Sequence, residues 1–490
     1  MRRTLILGLF LTFQAVILLT FVYALRSGLF PLGVAGEWQW LRVPRPPEAS
    51  RVFLAVVGIA IYVAVAGLLM KWLSHRASVR RECVAAALLL PAAVFVQGTA
   101  QLGAPDGYGL EKWVVAVSQA GSSGYFTVAK TEVHDRAKFL RNYPRWIQKQ
   151  DALHLGTHPP GLILVESILL DAMEAHPDVA RYVVASAPES VATMLKIFGE
   201  TNPMSPADRA TFVLTGALTL LACSLTVLPL YVLSRRSFPP MYAFAIAAMW
   251  PLVSSAILFQ PASDTAFPVV STTILAVSVF AAGDGVKRAS WLGLACGLIF
   301  GVAMEFTLAF LAVGLAVTLI TISEETTSLR LKLIVLFSTL AAFLVVTLVF
   351  WHYSEANPFE IWWWNQRNHA RFYEEFPRSY RAWVIANPIE LTIGLGIPIA
   401  LWGLVGLAKP RGIPRVTIVT LSILVFLTLG GRNLSEVGRL WLPFMPALIV
   451  GAGHGMRNLE AGPKSLVFTL VLLAIQLLAL EATIQVVYPI

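Results

Sequence analysis

The chain has 490 residues, of which 57% are hydrophobic and only 13% charged, and its mean hydropathy is +0.70. A soluble domain carries about 25% charged residues, so a soluble globular fold is excluded and an all-α polytopic membrane protein is expected. The net charge of +9 does not imply nucleic acid, because the basic residues fall largely in short clusters between apolar runs, the pattern of the positive-inside rule.

Met1-Arg2-Arg3 precedes an apolar run to about Tyr23. Its length suits a spanning helix better than a signal segment, and it is read as an uncleaved first span with its N-terminus in the cytoplasm. Residues 25–50 then lie outside, with Trp38 and Trp40 as interfacial anchors. A second span, 52–73, is followed by His75, Arg76, Arg80 and Arg81 on the cytoplasmic side. A third, 84–102, leads back out.

The stretch it delivers, Asp106 to Gly161, is the least apolar part of the chain. It carries Asp106, Glu111, Glu132, His134, Asp135, Asp151, His154 and His158 among Tyr108, Trp113, Tyr125, Phe126, Tyr143 and Trp146, and closes on His158-Pro159-Pro160-Gly161. Two readings stand: a solvated loop with an aromatic belt at the headgroups, or a reaction site facing water. Residues 162–173 are apolar but too short to span and include Glu166 and Asp171. They read as an interfacial helix, with Pro159 and Pro160 at its start, where a missing N–H is harmless.

Further spans follow at 211–233, ending in Arg235-Arg236, then at 242–259 and 267–282. The apolar run 291–322 is too long for one helix and is split near Met304-Glu305. Spans at 333–350, 388–407, 416–429, 440–452 and 466–487 bring the expected total to about thirteen. The chain is expected to be one transmembrane domain over 1–490. It divides into three first spans (1–102), an external loop with juxtamembrane helices (103–208), central spans (209–351), a second external loop (352–387) and C-terminal spans (388–490). Cys83, Cys223 and Cys296 lie in or beside apolar runs and suggest packing rather than disulfides or metal ligation.

Three external segments are expected to meet: the first large loop, the turn from Gln260 to Asp264, and the second loop. Asp264 suits a helix N-cap, and it can be a functional carboxylate at the same time. Glu305 interrupts an apolar run, where a carboxylate is costly; it pairs inside the bundle, sits at a helix junction or faces a polar cavity. Arg371 and Arg378 of the second loop, with Arg432, Glu436 and Arg439 further on, fit either lipid headgroups or a phosphate site, since a guanidinium fork matches phosphate oxygens.

In the order of these features the chain resembles the GT-C class of membrane glycosyltransferases, and is similar to protein O-mannosyltransferases and lipid A aminoarabinose transferases. The features are a large first external loop closed by His158-Pro159-Pro160-Gly161, a span ending in Arg235-Arg236, and an outgoing span ending in the Pro261–Asp264 turn. The resemblance covers most of the chain from about Ala100. The chain departs from the class in two ways: the first loop lacks an acidic pair, and two extra spans precede it. Asp106 holds the class-like position just after a span. Asp135, with Glu132 behind it, is the rival base.

The resemblance implies transfer of a sugar from a polyprenyl-phosphate-linked donor to a glycan, lipid or protein acceptor on the extracytoplasmic face of the cell (inner or plasma) membrane. An external carboxylate (Asp135, Asp106 or Glu132) would act as base, with Asp264 supporting the same cavity. Arginines or a divalent cation would stabilise the leaving phosphate. His158 is expected to be structural more than chemical, holding loop backbone or a carboxylate; the alternative is contact with the acceptor or the phosphate. The competing class is a transporter or flippase for a lipid or lipid-linked sugar. Such proteins bury polar groups near the midplane, for which Glu305 and His454 are the candidates here.

Overall fold

A computed structural model describes residues 2–75, 78–119, 121–281, 283 and 285–486. Among the described residues the regular structure is helical apart from two short antiparallel ribbons, β1 (Gly33–Val34) with β2 (Trp38–Gln39) and β3 (Leu41–Arg42) with β4 (Ile484–Gln485). Helices are what an apolar chain in lipid must form, since each peptide group is then satisfied within its own segment.

The first three helices are α1 (Arg2–Arg26), α2 (Ala49–His75) and α3 (Val79–Ala100). Six helices of at most 15 residues then form a layer at one end of the bundle. They are α4 (Lys112–Ser118), α5 (Tyr125–Thr131), α6 (Arg136–Trp146), α7 (Gly161–Ala175), α8 (Pro177–Ala185) and α9 (Glu189–Thr201). The expectation that 162–173 forms a separate short helix is met by α7, of 15 residues.

The central bundle is α10 (Pro206–Leu225), α11 (Val227–Arg235), α12 (Pro240–Met249), α13 (Ser254–Leu258), α14 (Phe267–Ala281), α15 (Val286–Met304), α16 (Phe310–Ser323) and α17 (Leu329–Ser354). A Ser205–Asp208 capping box with Pro206 behind it starts α10. The apolar run breaks after Met304, where the sequence places it. Gly293, Gly297 and Gly301 line one face of α15, and a Cβ at Gly293 or Gly297 would lie 2.0 or 2.1 Å from Ser338 or Thr339 of α17. The stripe lets the two backbones touch, as small residues at four-residue spacing do in membranes.

The C-terminal part comprises α18 (Pro358–Glu375), α19 (Tyr380–Leu395), α20 (Ile397–Ala408), α21 (Arg415–Leu429), α22 (Val437–Leu440), α23 (Met445–Asn458) and α24 (Pro463–Glu481). Residues 388–407, expected as one straight span, belong to α19 and α20, which meet at a bend of 111°. Gln476 of α24 repairs the break, accepting from Ile397 N and donating to Ile393 O at 2.8 Å each.

Among the described residues eight helices are long and apolar enough to cross a membrane, or nine with the bent pair as one span. The number differs from thirteen because α12, α16, α21 and α23 are short. α12 and α23 are almost wholly buried, so they meet protein rather than lipid on most sides.

The loops gather at one end. Glu37 accepts from Ser379 N at 2.9 Å and from Trp383 Nε1 at 2.7 Å, and Arg141 pairs with Glu355. At the other end Arg235 binds Glu82, Arg415 binds Glu324, and Arg457 donates to Ser237 O. The basic clusters thus sit away from the acidic and aromatic loops.

Candidate functional site

The loop from Asp151 to Pro160 is shaped by its own polar groups before it is packed. Asp151 accepts from the N–H groups of Leu153 and His154, forming an Asx turn. Two asparagines of α18 pin it from the second loop: Asn365 and Asn368 donate to Gly156 O at 3.0 and 2.9 Å, and Asn368 also donates to Ile147 O. Tyr143 of α6, fully buried, donates to His158 O at 2.9 Å. Gly161 N donates to Glu305 O at 2.8 Å, and a Cβ on Gly161 would lie 2.4 Å from that oxygen. The His-Pro-Pro-Gly segment is therefore clamped between α6, α18 and the end of α15. Glu305 sits at that helix junction, one of the three places expected for it.

Above α7 a cavity of about 610 Å³ opens. Its walls are apolar residues of α7, α10, α14 and α15 with Phe306 and Phe310, and one end is lined by Tyr125, His154, His158, Asp264 and Arg439. Arg439 Nη1 lies 3.9 Å from Asp264 Oδ2, and its Nη2 holds Glu436 at 2.9 Å. The Tyr125 ring meets the His158 ring edge-on at 5.9 Å.

His158 Nδ1 lies 3.0 Å from His154 O and 3.1 Å from Thr157 Oγ1. Burial holds both imidazoles neutral: His154 is pushed down to about 3, helped by Arg439, and His158 is lowered by burial against the opposing pull of Asp264. Burial also raises the Tyr125 phenol. The cluster thus presents one acid, one guanidinium and neutral hydrogen-bonding rings at the end of an apolar cleft. Among the described residues no group of three His, Cys, Asp or Glu side chains is placed to hold a metal ion.

The other expected site residues are elsewhere. Asp135 caps α6, accepting from Lys138 N. Glu132 accepts from Trp146 Nε1 at 2.6 Å. Asp106, its side chain 74% exposed, pairs with Arg51 at 2.9 Å. None of the three lines the cavity. Arg371 donates to Gln150 O and pairs with Glu375. Arg378 reaches Ser435 and lies over the Phe372 ring. Arg432 contributes its carbonyl to Tyr373. Glu305 is buried beside the cluster, and burial pushes its carboxyl up to about 8. His454 points to the opposite end, its Nε2 2.9 Å from Lys409 O.

Of the expected set, Asp264, His158 and Arg439 come together. The cavity also recruits Tyr125, His154 and Glu166, none of them singled out as site residues. The carboxylate inside a short apolar run was the available signal for Glu166.

Architecture and site together define a polytopic helical membrane protein with an amphipathic cavity at its loop-bearing end. No family model, no curated protein and no solved structure matches the chain.

Proposed function

We propose that the protein is a glycosyltransferase that moves a sugar from a polyprenyl-phosphate-linked donor to an acceptor hydroxyl on the extracytoplasmic face. The observation that carries this reading is one cavity with an apolar cleft for a lipid chain and, at its end, Asp264 and Arg439 3.9 Å apart. The acceptor oxygen attacks the anomeric carbon while its proton passes to Asp264 as general base. The bond from that carbon to the phosphate oxygen breaks, and the charge left on the phosphate faces Arg439. Neutral His154 and His158 can hydrogen-bond sugar or phosphate without adding charge. Asp106, Glu132 and Asp135 serve the loop's architecture in this reading. The resemblance to the GT-C class supports the donor assignment.

The same reading sets the membrane frame. Counting the bent α19–α20 pair, the shorter α12, α16 and α21, and α23 as crossings gives thirteen, with the N-terminus and basic clusters cytoplasmic in an inner or plasma membrane. Purified protein assayed with a panel of polyprenyl-phosphate sugars and membrane-derived acceptors tests the activity.

The second reading, a lipid or lipid-linked-sugar transporter, draws on the 111° break between α19 and α20 with its buried Gln476, since broken helices mark transporter sites. Wild-type protein that transfers from no donor of the panel but moves lipid across liposomes would replace the first reading with the second.

A further inference from the structure

The cavity carries a second polar spot, away from the acid–guanidinium cluster. Glu166 of α7 and Thr215 of α10 both line it. Thr215 Oγ1 lies 3.1 and 3.0 Å from the two carboxyl oxygens of Glu166, whose exposure is 7%. Their neighbours on the wall, Val165, Leu169 and Leu218, are apolar.

A bond that merely tied α7 to α10 would be served by any small polar pair sealed between the helices. This pair is on the cavity surface instead. A carboxyl group offers about four acceptor positions on its two oxygens, and one hydroxyl proton fills one of them. The remainder is available to whatever occupies the cavity. Burial, opposed by the Thr215 hydrogen bonds, pushes the carboxyl up to about 7, so near neutral pH it both donates and accepts. The wall beside it opens on the apolar outer face of the bundle: Val165, Leu218, Leu298 and Val302 all line the cavity and are 38–53% exposed. A ligand reaching Glu166 by this route comes from the membrane.

We propose that Glu166 and Thr215 form a hydroxyl-reading subsite that takes a sugar or polyol hydroxyl of a lipid-borne ligand entering the cavity from the membrane. The proposal rests on the reading of the cavity as a lipid-substrate site. The hydroxyl belongs either to the donor sugar or to a glycolipid acceptor.

The test is binding by native mass spectrometry, in phosphatidylcholine nanodiscs free of sugar detergent. The probes are polyprenyl phosphate, the same lipid carrying a hexosyl group, and a monohexosyl diacylglycerol. Glu166→Leu and Thr215→Val are expected to weaken one or both hexosyl probes by about tenfold, the size of one hydrogen bond, and to leave polyprenyl phosphate unchanged. Glu166→Gln, which still donates and accepts, keeps most of the affinity. Selective loss of the hexosyl polyprenyl phosphate assigns the subsite to the donor, and selective loss of the hexosyl diacylglycerol assigns it to the acceptor. The proposal is overturned if wild type binds neither hexosyl probe, if the variants bind both as wild type does, or if all three probes weaken equally. Glu166-dependent binding of the hexosyl diacylglycerol, without any binding of polyprenyl phosphate, would remove the glycosyltransferase reading and leave the subsite standing.

Discussion

Arg439 faces Asp264 across the polar end of the cavity at 3.9 Å, a separation beyond hydrogen-bonding range. The carboxylate is held by charge without being tied down by that contact. Asp264→Asn keeps its shape and removes its basicity. It is expected to lower sugar transfer by about 10²–10⁴-fold, the usual contribution of a general base. The check is turnover in detergent or nanodiscs with a polyprenyl-phosphate sugar. Wild-type turnover in this variant would dismiss Asp264 as the base.

The rival carboxylates give the converse expectation. Asp135 caps α6 and Asp106 pairs with Arg51. Asp106→Asn and Asp135→Asn should transfer sugar at close to the wild-type rate. Asp135→Ala should lose about 1 kcal/mol of stability with the cap, whereas Asn caps as well as Asp. A collapse of turnover in Asp135→Asn, with Asp264→Asn active, would return the base to the start of α6.

Gly161 is where the loop meets the end of α15. A Cβ there would lie 2.4 Å from Glu305 O, so Gly161→Ala must push two backbones apart. Overpacking of this kind costs about 1–3 kcal/mol. Thermal unfolding of purified protein should show a lowered midpoint, and an unchanged one would mean that the junction yields freely.

Glu305 gives a pH signature. Among the described residues neither of its carboxyl oxygens has a hydrogen-bond partner, and burial pushes the group up to about 8. An unfolded glutamate titrates at about 4.3. Between these values the folded state holds the extra proton, so this group's contribution is fully present at low pH and is lost as pH rises toward and through about 8. Glu305→Gln keeps a neutral side chain at every pH. It should raise the unfolding midpoint relative to wild type at pH 9 and change it little at pH 4. Equal shifts at both would show that ionisation is not the cause.

Sidedness can be read with an impermeant thiol reagent. Cys83 is exposed, so it is first replaced by Ser. Single cysteines at the exposed Asn142 and Glu374 should label in intact cells, and one at the exposed Arg411 only after lysis. Protection of both loop positions in intact cells would reverse the proposed orientation.

Local chemistry made much of the architecture legible. A run too long for one helix had to break, and the only charged residue inside it, Glu305, marks the place. Residues 162–173 were too short to cross and carried Glu166 and Asp171, so a separate short helix followed. Basic clusters and acidic loops alternated along the chain, and the structure puts them at opposite ends. The number of long spans was less legible, because a length rule assumes lipid on every side. Residues of α12 and α23 touch protein instead, and a buried helix need not match a bilayer.

The site belonged to the tertiary structure. The class-like position of Asp106 and the histidine, arginine and aromatic neighbours of Asp135 ranked both as bases above Asp264, which was expected to support the same cavity. Only packing shows that the first is taken by Arg51 and the second by a helix cap, while Asp264, from a two-helix turn, comes to face Arg439, far along the chain. Sequence alone determines which side chains are costly to bury, because that cost belongs to each residue. Which of them share a cavity depends on how the helices cross, and no local pattern encodes that.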